Sequence, residues 1–275
     1  MTRVGLTLPS FRDTPEPAIA VARAAEAAQL DAVFAFDHLF RFRSRGSDVR
    51  RPAIEAFTLL GAVAAETERL AIGPLVARAT LRPEATLVHL FDTVQRVSGG
   101  RLIAGIGAGD RESRIENETF GLEFGTIADR LAALDAARGA AMDRGYPVWV
   151  GGTLRALRMI AARADGWNRW GGTPAQFAAG VEHIRSQLEA VGSGMSCVPS
   201  WAGLVVLGED DAAAERKRER LDVSPEVIVG GPERVAERLR EYVASGAEWI
   251  IAGPVDSSDL DNAAILGERV VPLLT

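Results

Sequence analysis

Short apolar runs alternate with longer amphipathic stretches along the whole of this chain, and that alternation restricts its fold more than any single motif. Val4 to Leu8, Ala32 to Phe36, Leu70 to Val76 and Arg101 to Ile106 read as buried strands, apolar on both faces. Pro15 to Gln29, Ile54 to Glu68 and Pro83 to Val97 read as the helices between them, two with proline in the first turn. The second half keeps the rhythm. Its strands are Pro147 to Val150, Gly166 to Trp170, Trp201 to Leu207 and Trp249 to Gly253. Its helices are Ala128 to Met142, Thr153 to Ala164, Pro174 to Val191, Asp210 to Leu221, Pro232 to Ser245 and Asn262 to Val271. Eight buried strands with intervening helices make a parallel α/β fold. A length of 275 residues without a linker-like stretch fits one (β/α)8 TIM barrel over residues 1–275, with a doubly wound sheet as the second solution.

Such a barrel needs a large core, which 47% hydrophobic residues supply. The net charge of −6 argues against nucleic acid as a partner. One cysteine, Cys197, leaves no intrachain disulfide framework, and three histidines beside it are too few for a zinc site. No metal is therefore expected. No apolar run approaches the roughly 20 residues that span a bilayer. The N-terminus enters a strand pattern directly, without a charged-then-apolar signal. The expectation is a soluble cytoplasmic protein acting on a small molecule, with no membrane partner.

Chemistry on a barrel gathers where the strands end at their C-terminal side. Asp37 and His38 follow the second strand, and Asp110 follows the fourth, so all three converge on one mouth. His38 can give or take a proton near neutrality, with Asp110 as a secondary acid/base candidate. Asp37 can hold the His38 imidazole, accept from a ligand, or cap a loop. His89 and His183 fall inside helices and read as packing or surface residues. In SGGRLIAGIGAGD, residues 98–110, the alternating Gly105, Gly107 and Gly109 either let a flat ligand approach the backbone or merely narrow the strand for packing. Gly151, Gly152 and Thr153 lead from a strand into a helix with a hydroxyl at the N-cap, and Arg155 follows. That turn suits a phosphate, or is an ordinary capped turn. Gly230-Gly231-Pro232 is a weaker candidate of the same type.

Arginines cluster after strand ends: Arg41, Arg43, Arg45, Arg50 and Arg51 in one loop, then Arg111, Arg114, Arg155 and Arg169. They form either a cationic rim for an anionic ligand or a scattered solvated set. Under the first reading, Gln at positions 43 and 45 weakens ligand binding and its salt dependence.

Taken together, FAFDHLF at 34–40, SGGRLIAGIGAGD with ENETFG at 116–121, VWVGGT at 148–153 and ADGWN at 164–168 resemble the bacterial luciferase-like flavin and deazaflavin oxidoreductases. VGGPERVAERLREYVASGA at 229–247 is similar to that family's late helix. The resemblance implies a luciferase-like barrel that binds an isoalloxazine or deazaisoalloxazine ring at its mouth. The Asp-His pair resembles the coenzyme F420 branch, which implies a cofactor contact for Asp37 and proton transfer for His38. Leu75 and Val76 fall where that branch has a non-prolyl cis peptide behind the ring. Gly151, Gly152 and Thr153 fall at its phosphate turn. Asp110 stands where the sugar-phosphate dehydrogenases have a glutamate, and Phe42 where they have a tryptophan, so sugar-phosphate oxidation does not carry over. The chain between Phe120 and Tyr146 has room for little more than one helix, which implies a short lid. The implied activity is hydride transfer between F420 and a small organic substrate. The alternatives are an FMN-dependent monooxygenase using oxygen and a non-catalytic barrel that binds a flavin or deazaflavin. The family also implies a homodimer through the helices at 54–68 and 83–97.

Overall fold

The structure is a computed structural model, and it describes residues 2–42, 48–192, 196–221 and 223–274; Arg43 and Arg45 lie outside the described residues. In chain order the first half comprises β1 Arg3–Thr7, α1 Glu16–Ala27, β2 Ala32–Ala35, β3 Phe40–Phe42, β4 Arg50–Pro52, α2 Ala56–Glu66, β5 Ala71–Pro74, β6 Ala77–Arg78 and α3 Glu84–Val97. There follow β7 Ala104–Gly107, α4 Arg111–Thr119, α5 Ile127–Met142, β8 Val148–Gly151, α6 Arg155–Ala161, β9 Gly166–Trp170 and α7 Pro174–Val191. The chain ends with β10 Val198–Leu207, α8 Asp211–Arg220, β11 Ile228–Gly230, α9 Pro232–Ala244, β12 Trp249–Pro254 and α10 Asp261–Ala264.

The parallel order β5-β2-β1-β12-β10-β9-β8-β7-β6 wraps into a barrel of eight staves. Its third stave is broken in two, β5 and β6, around Leu75 and Val76. Closure comes on both sides of that break. Ile72 bridges Leu102 just before β7, and Ala77 pairs with Ile106 of β7. Around the bridge Ile72 N donates to Arg101 O and Ile103 N to Ile72 O, both at 2.9 Å. The (β/α)8 barrel expected from the alternating pattern is therefore the fold. Two additions depart from it. β3 and β4 form an antiparallel hairpin after β2, and β11 pairs with the overshooting end of β10.

Strand alternation sorts side chains to two cores. Inside the barrel Phe34, Ile103, Trp149, Trp249 and Ile251 pack into one cluster, with Trp149 edge-on to Trp249 at 5.4 Å. Gly166 makes this possible, because a Cβ there would sit 2.5 Å from Trp149 Cδ1. This plug fills the barrel beneath its mouth. Outward residues such as Val4, Leu6, Val33 and Val150 meet the helices in the larger cluster. Each such buried aliphatic side chain contributes about 1.5–3 kcal/mol.

The helices follow their signals closely. α7 starts at a Thr173–Gln176 capping box with Pro174 at its first position, and it stops at Gly192 with φ of 62°. α9 buries Val235, Ala236, Leu239 and Tyr242 at helical spacing. At the opposite end of the barrel from the mouth, Arg101 ties elements together. Its guanidinium donates to the carbonyls of Ala64, Thr67, Leu70 and Ser98 and to the Thr67 hydroxyl. Three expectations need correction. The segment before residue 120, given no element from the sequence, is helix α4. The closing helix is three short pieces, α10, a π-type turn Ile265–Val270 and a 3-10 turn Val271–Leu273. Thr153 does not cap α6: Leu154 holds that position, with no side-chain bond.

Candidate active site

A cavity of about 780 Å³ opens at the C-terminal ends of the strands. Its lining takes in Asp37, His38, Leu75, Val76, Gly107, Gly109, Asp110, Gly151, Gly152 and Thr153, so the strand-end argument places these candidates around one space. Arg155 is the exception. It is exposed on the first residue of α6 and is not part of the lining.

His38 is positioned by a residue that the strand-end argument misses. Its Nδ1 lies 2.5 Å from Oε1 of Glu116, which projects from α4 and is only 2% exposed. The other carboxylate oxygen accepts from Leu39 N at 2.8 Å and pairs with Arg78 at 2.9 Å. A carboxylate facing Nδ1 fixes the proton there and leaves Nε2 as the ring nitrogen for the cavity. Burial disfavours the imidazolium, but the hydrogen bond and charge of Glu116, with Asp110 beyond it, outweigh both burial and Arg78. His38 therefore titrates above its ordinary value.

Asp37 lies at the cavity edge, yet its carboxylate is taken up by protein donors. Arg82 grips both oxygens at 2.8 and 2.9 Å, and Arg78 N donates to Oδ2 at 2.9 Å. Arg82 also reaches Glu55, the N-cap of α2, at 2.6 Å. His38, Glu116, Arg78, Asp37, Arg82 and Glu55 thus form a row running from the cavity to the surface. In this row Asp37 orients arginines and leaves little for a ligand. Asp110 is the N-cap of α4, accepting from Ser113 N at 2.9 Å and Ser113 Oγ at 2.8 Å. Burial raises its pKa, and the Ser113 bonds with His38 and Arg78 nearby outweigh that, holding it below the usual carboxylate range. A carboxylate kept ionised accepts protons and is a poor donor.

The glycines at the strand ends have a specific purpose. The Leu75–Val76 peptide is cis, as the resemblance implies, and Val76 stands over β7 and β8. A Cβ at Gly107 would lie 2.4 Å from Val76 Cγ2, and one at Gly151 would lie 2.8 Å from Val76 Cγ1. These glycines therefore make room for Val76, and it is Val76 with Leu75 that meets the cavity as an apolar floor. At one rim Gly152, with φ of 142°, turns the chain past Leu157. The N–H groups of Thr153 and Leu154 there have no protein acceptor among the described residues. Of the described arginines only Arg41 and Arg78 reach the lining. Arg169 turns to Gly171 O and Gln176, and Arg114 lies over Phe124. A continuous cationic rim is not present among the described residues. Nor is any group of three His, Cys, Asp or Glu placed to hold a metal, and no described helix is long and apolar enough to cross a membrane.

A family model described as luciferase-like monooxygenase matches residues 1–224. The F420-dependent glucose-6-phosphate dehydrogenase of Beutenbergia cavernae is 36% identical over 111 residues, which cover 40% of this chain and 32% of that protein. The enzyme of the same name from Amycolatopsis mediterranei is 31% identical over 135 residues, 49% of this chain and 39% of that one. The matched stretch thus spans only about a third of the length of these relatives. Among solved structures, an F420-dependent secondary alcohol dehydrogenase bound to an F420-acetone adduct superposes with a TM-score of 0.82 at 15% identity, over 100% of this chain and 99% of that one. The monooxygenase RslO1 from Streptomyces bottropensis superposes at 0.80 and 17% identity, over 99% of this chain and 100% of that one. At that identity the structures speak for the fold, which is the same barrel. With the family model covering most of its length, this chain belongs to the luciferase-like monooxygenase family.

Proposed function

We propose that this protein is an oxidoreductase that moves a hydride between coenzyme F420 and a small organic substrate. The observation that carries the reading is His38, which lines the cavity and whose Nδ1 is held by a buried glutamate. An acid/base at the rim of a ring-binding cavity is what oxidation of an alcohol, or reduction of a carbonyl, requires beside the hydride carrier. The similarity to curated F420-dependent dehydrogenases supports the same choice of cofactor.

The residues present fit a flat tricyclic group. Leu75 and Val76 offer an apolar floor, and the cavity volume lies within the range of about 300–1,000 Å³ for small-molecule sites. Thr153 and Leu154 present unpaired N–H groups where a phosphate would be held, with Gly152 keeping that turn open. When bound, the deazaflavin would supply or accept the hydride. His38 Nε2 would hold the proton that the substrate oxygen gains or gives up. Glu116 keeps the imidazole oriented and basic, and Arg78 and Leu39 N keep Glu116 in place. Asp37 keeps Arg82 and the backbone of Arg78 in register beneath the site.

The second reading is an FMN-dependent monooxygenase, supported by the family model, which is described as luciferase-like monooxygenase. Titrating the purified protein with F420 and, separately, with FMN decides between them, followed by fluorescence or calorimetry. Tight F420 binding with weak FMN binding is the expected result. The reverse preference, with oxygen uptake in the presence of reduced FMN, replaces the F420 reading by the monooxygenase.

A further inference from the structure

One arc of the mouth, formed by the β5–β6 break, β7 and β8, is low and aliphatic, because glycine and Val76 occupy it. The other arc is built from aromatic rings. Trp170, at the end of β9, meets Phe36, just beyond β2, edge-on at 5.4 Å. Phe36 stacks on Phe11 at 6.1 Å, and Phe11 lies 5.9 Å from the His38 ring. In the barrel order, β12, β10 and β1 separate β9 from β2, so this ring system crosses the mouth. Gly253 of β12 admits it, since a Cβ there would sit 3.0 Å from Trp170 Cη2.

Two of the large side chains on this arc are left uncovered. Trp170 is 38% exposed and Leu204 39% exposed, both within the cavity lining. Leu204 is the one exposed position in the ten-residue strand β10, between buried neighbours on either side. Apolar surface of this kind inside a cavity is stabilised by an apolar ligand that displaces its water.

Charge around the cavity works against an anionic substrate. Arg78 is committed to Glu116 and Asn117, and the Arg41 guanidinium lies over Phe11 at 5.8 Å. Asp110 and Glu112 face the same space with negative charge. A phosphorylated sugar would meet two carboxylates, and no uncommitted cation besides Arg41 among the described lining residues.

We infer that this aromatic arc is a substrate subsite for a neutral, ring-bearing ketone or its alcohol, stacked on Trp170 and Phe36 with its oxygen directed to His38. The inference rests on the hydride-transfer reading for the role of that oxygen, and on the ring wall alone for the class of compound. It separates this protein's substrate from the sugar phosphate named for its curated relatives.

Fluorine NMR with 4-fluoroacetophenone as the probe tests it on the whole protein, with and without added F420. The expected result is binding that Trp170→Ala weakens about tenfold, the scale of losing one stacked aromatic contact. Leu204→Gln weakens it severalfold at a position whose side chain is exposed, which gives a reading independent of any packing lost with Trp170. Glucose 6-phosphate does not displace the probe. Thermal melts of both variants establish that they are folded. The subsite is overturned if the probe does not bind the F420-loaded wild type, if neither variant changes its affinity, or if glucose 6-phosphate displaces it at comparable concentration. Failure of the cofactor reading looks different. F420 then does not bind, while the probe still binds with the same sensitivity to both variants, and the aromatic subsite stands.

Discussion

Glu116 faces the His38 ring nitrogen, accepts from the Leu39 amide and pairs in charge with the Arg78 guanidinium, in a place that solvent barely reaches. Removing the carboxylate leaves buried groups unpaired, so Glu116→Ala should destabilise the fold by about 3–5 kcal/mol, read from urea denaturation. Glu116→Gln keeps the shape and removes the charge. His38 should then titrate lower than in the wild type, measured by NMR of its ring signals across pH. The same pair shapes stability against pH. The folded state holds the His38 proton more tightly than the unfolded chain does. The stability from this pair is therefore complete below the ordinary value of 6.5 and is lost as pH rises through the folded value. In Glu116→Gln that loss should shrink, and an unchanged slope above neutrality would count against the pairing. His38 itself was legible in the sequence because it follows a strand directly. Glu116 was visible only as part of the ENETFG resemblance, since nothing local marks a carboxylate that acts through a histidine 78 positions away.

At the scale of elements, the broken third stave governs the shape of the cavity floor. Gly107 and Gly151 have no freedom to grow while Val76 stands above them. Gly107→Ala should cost about 1–3 kcal/mol through overpacking, measured by thermal melting. Val76→Ala made in the same chain should recover most of it, and this non-additivity is the signature of direct contact. The glycine alternation was legible in SGGRLIAGIGAGD, but its reason was not. Sequence offers a missing side chain without saying which neighbour takes the space. Elsewhere legibility followed the signal. The α7 segment carries proline, a capping box and a terminal glycine, and its predicted limits are those observed. Helix α4 carries RESRIENET, almost wholly polar, so no apolar stripe announced it. Its start was hidden further because Asp110 was read as site chemistry, while Asp110 and Ser113 are a capping box. Thr153 shows the opposite error, a hydroxyl in the expected place with the cap one residue later.

For the whole molecule, the apolar pattern and the length were enough to indicate a barrel, because few other folds cover eight buried parallel strands. What holds the far end together was not readable. Arg101 opens the strand motif in sequence but folds back to bind the end of α2, the start of β5 and the end of α3. Arg101→Ala strands those carbonyls and should lower stability by about 3 kcal/mol in urea denaturation. Arg101→Lys should recover only part of it, because a single ammonium cannot span the same fork of acceptors. Cofactor affinity at the mouth should not change in Arg101→Lys at temperatures where it is folded. The row of ionised groups from His38 to Glu55 has a consequence for proton accounting. Its signs alternate, so it is neutral when His38 carries a proton and has one surplus negative charge when it does not. An anion entering the mouth favours the neutral form, and its binding should draw a proton from solution near and above neutral pH. Calorimetric titrations of the same anion in buffers of different ionisation enthalpy should then report different apparent heats, whose slope counts the proton taken up.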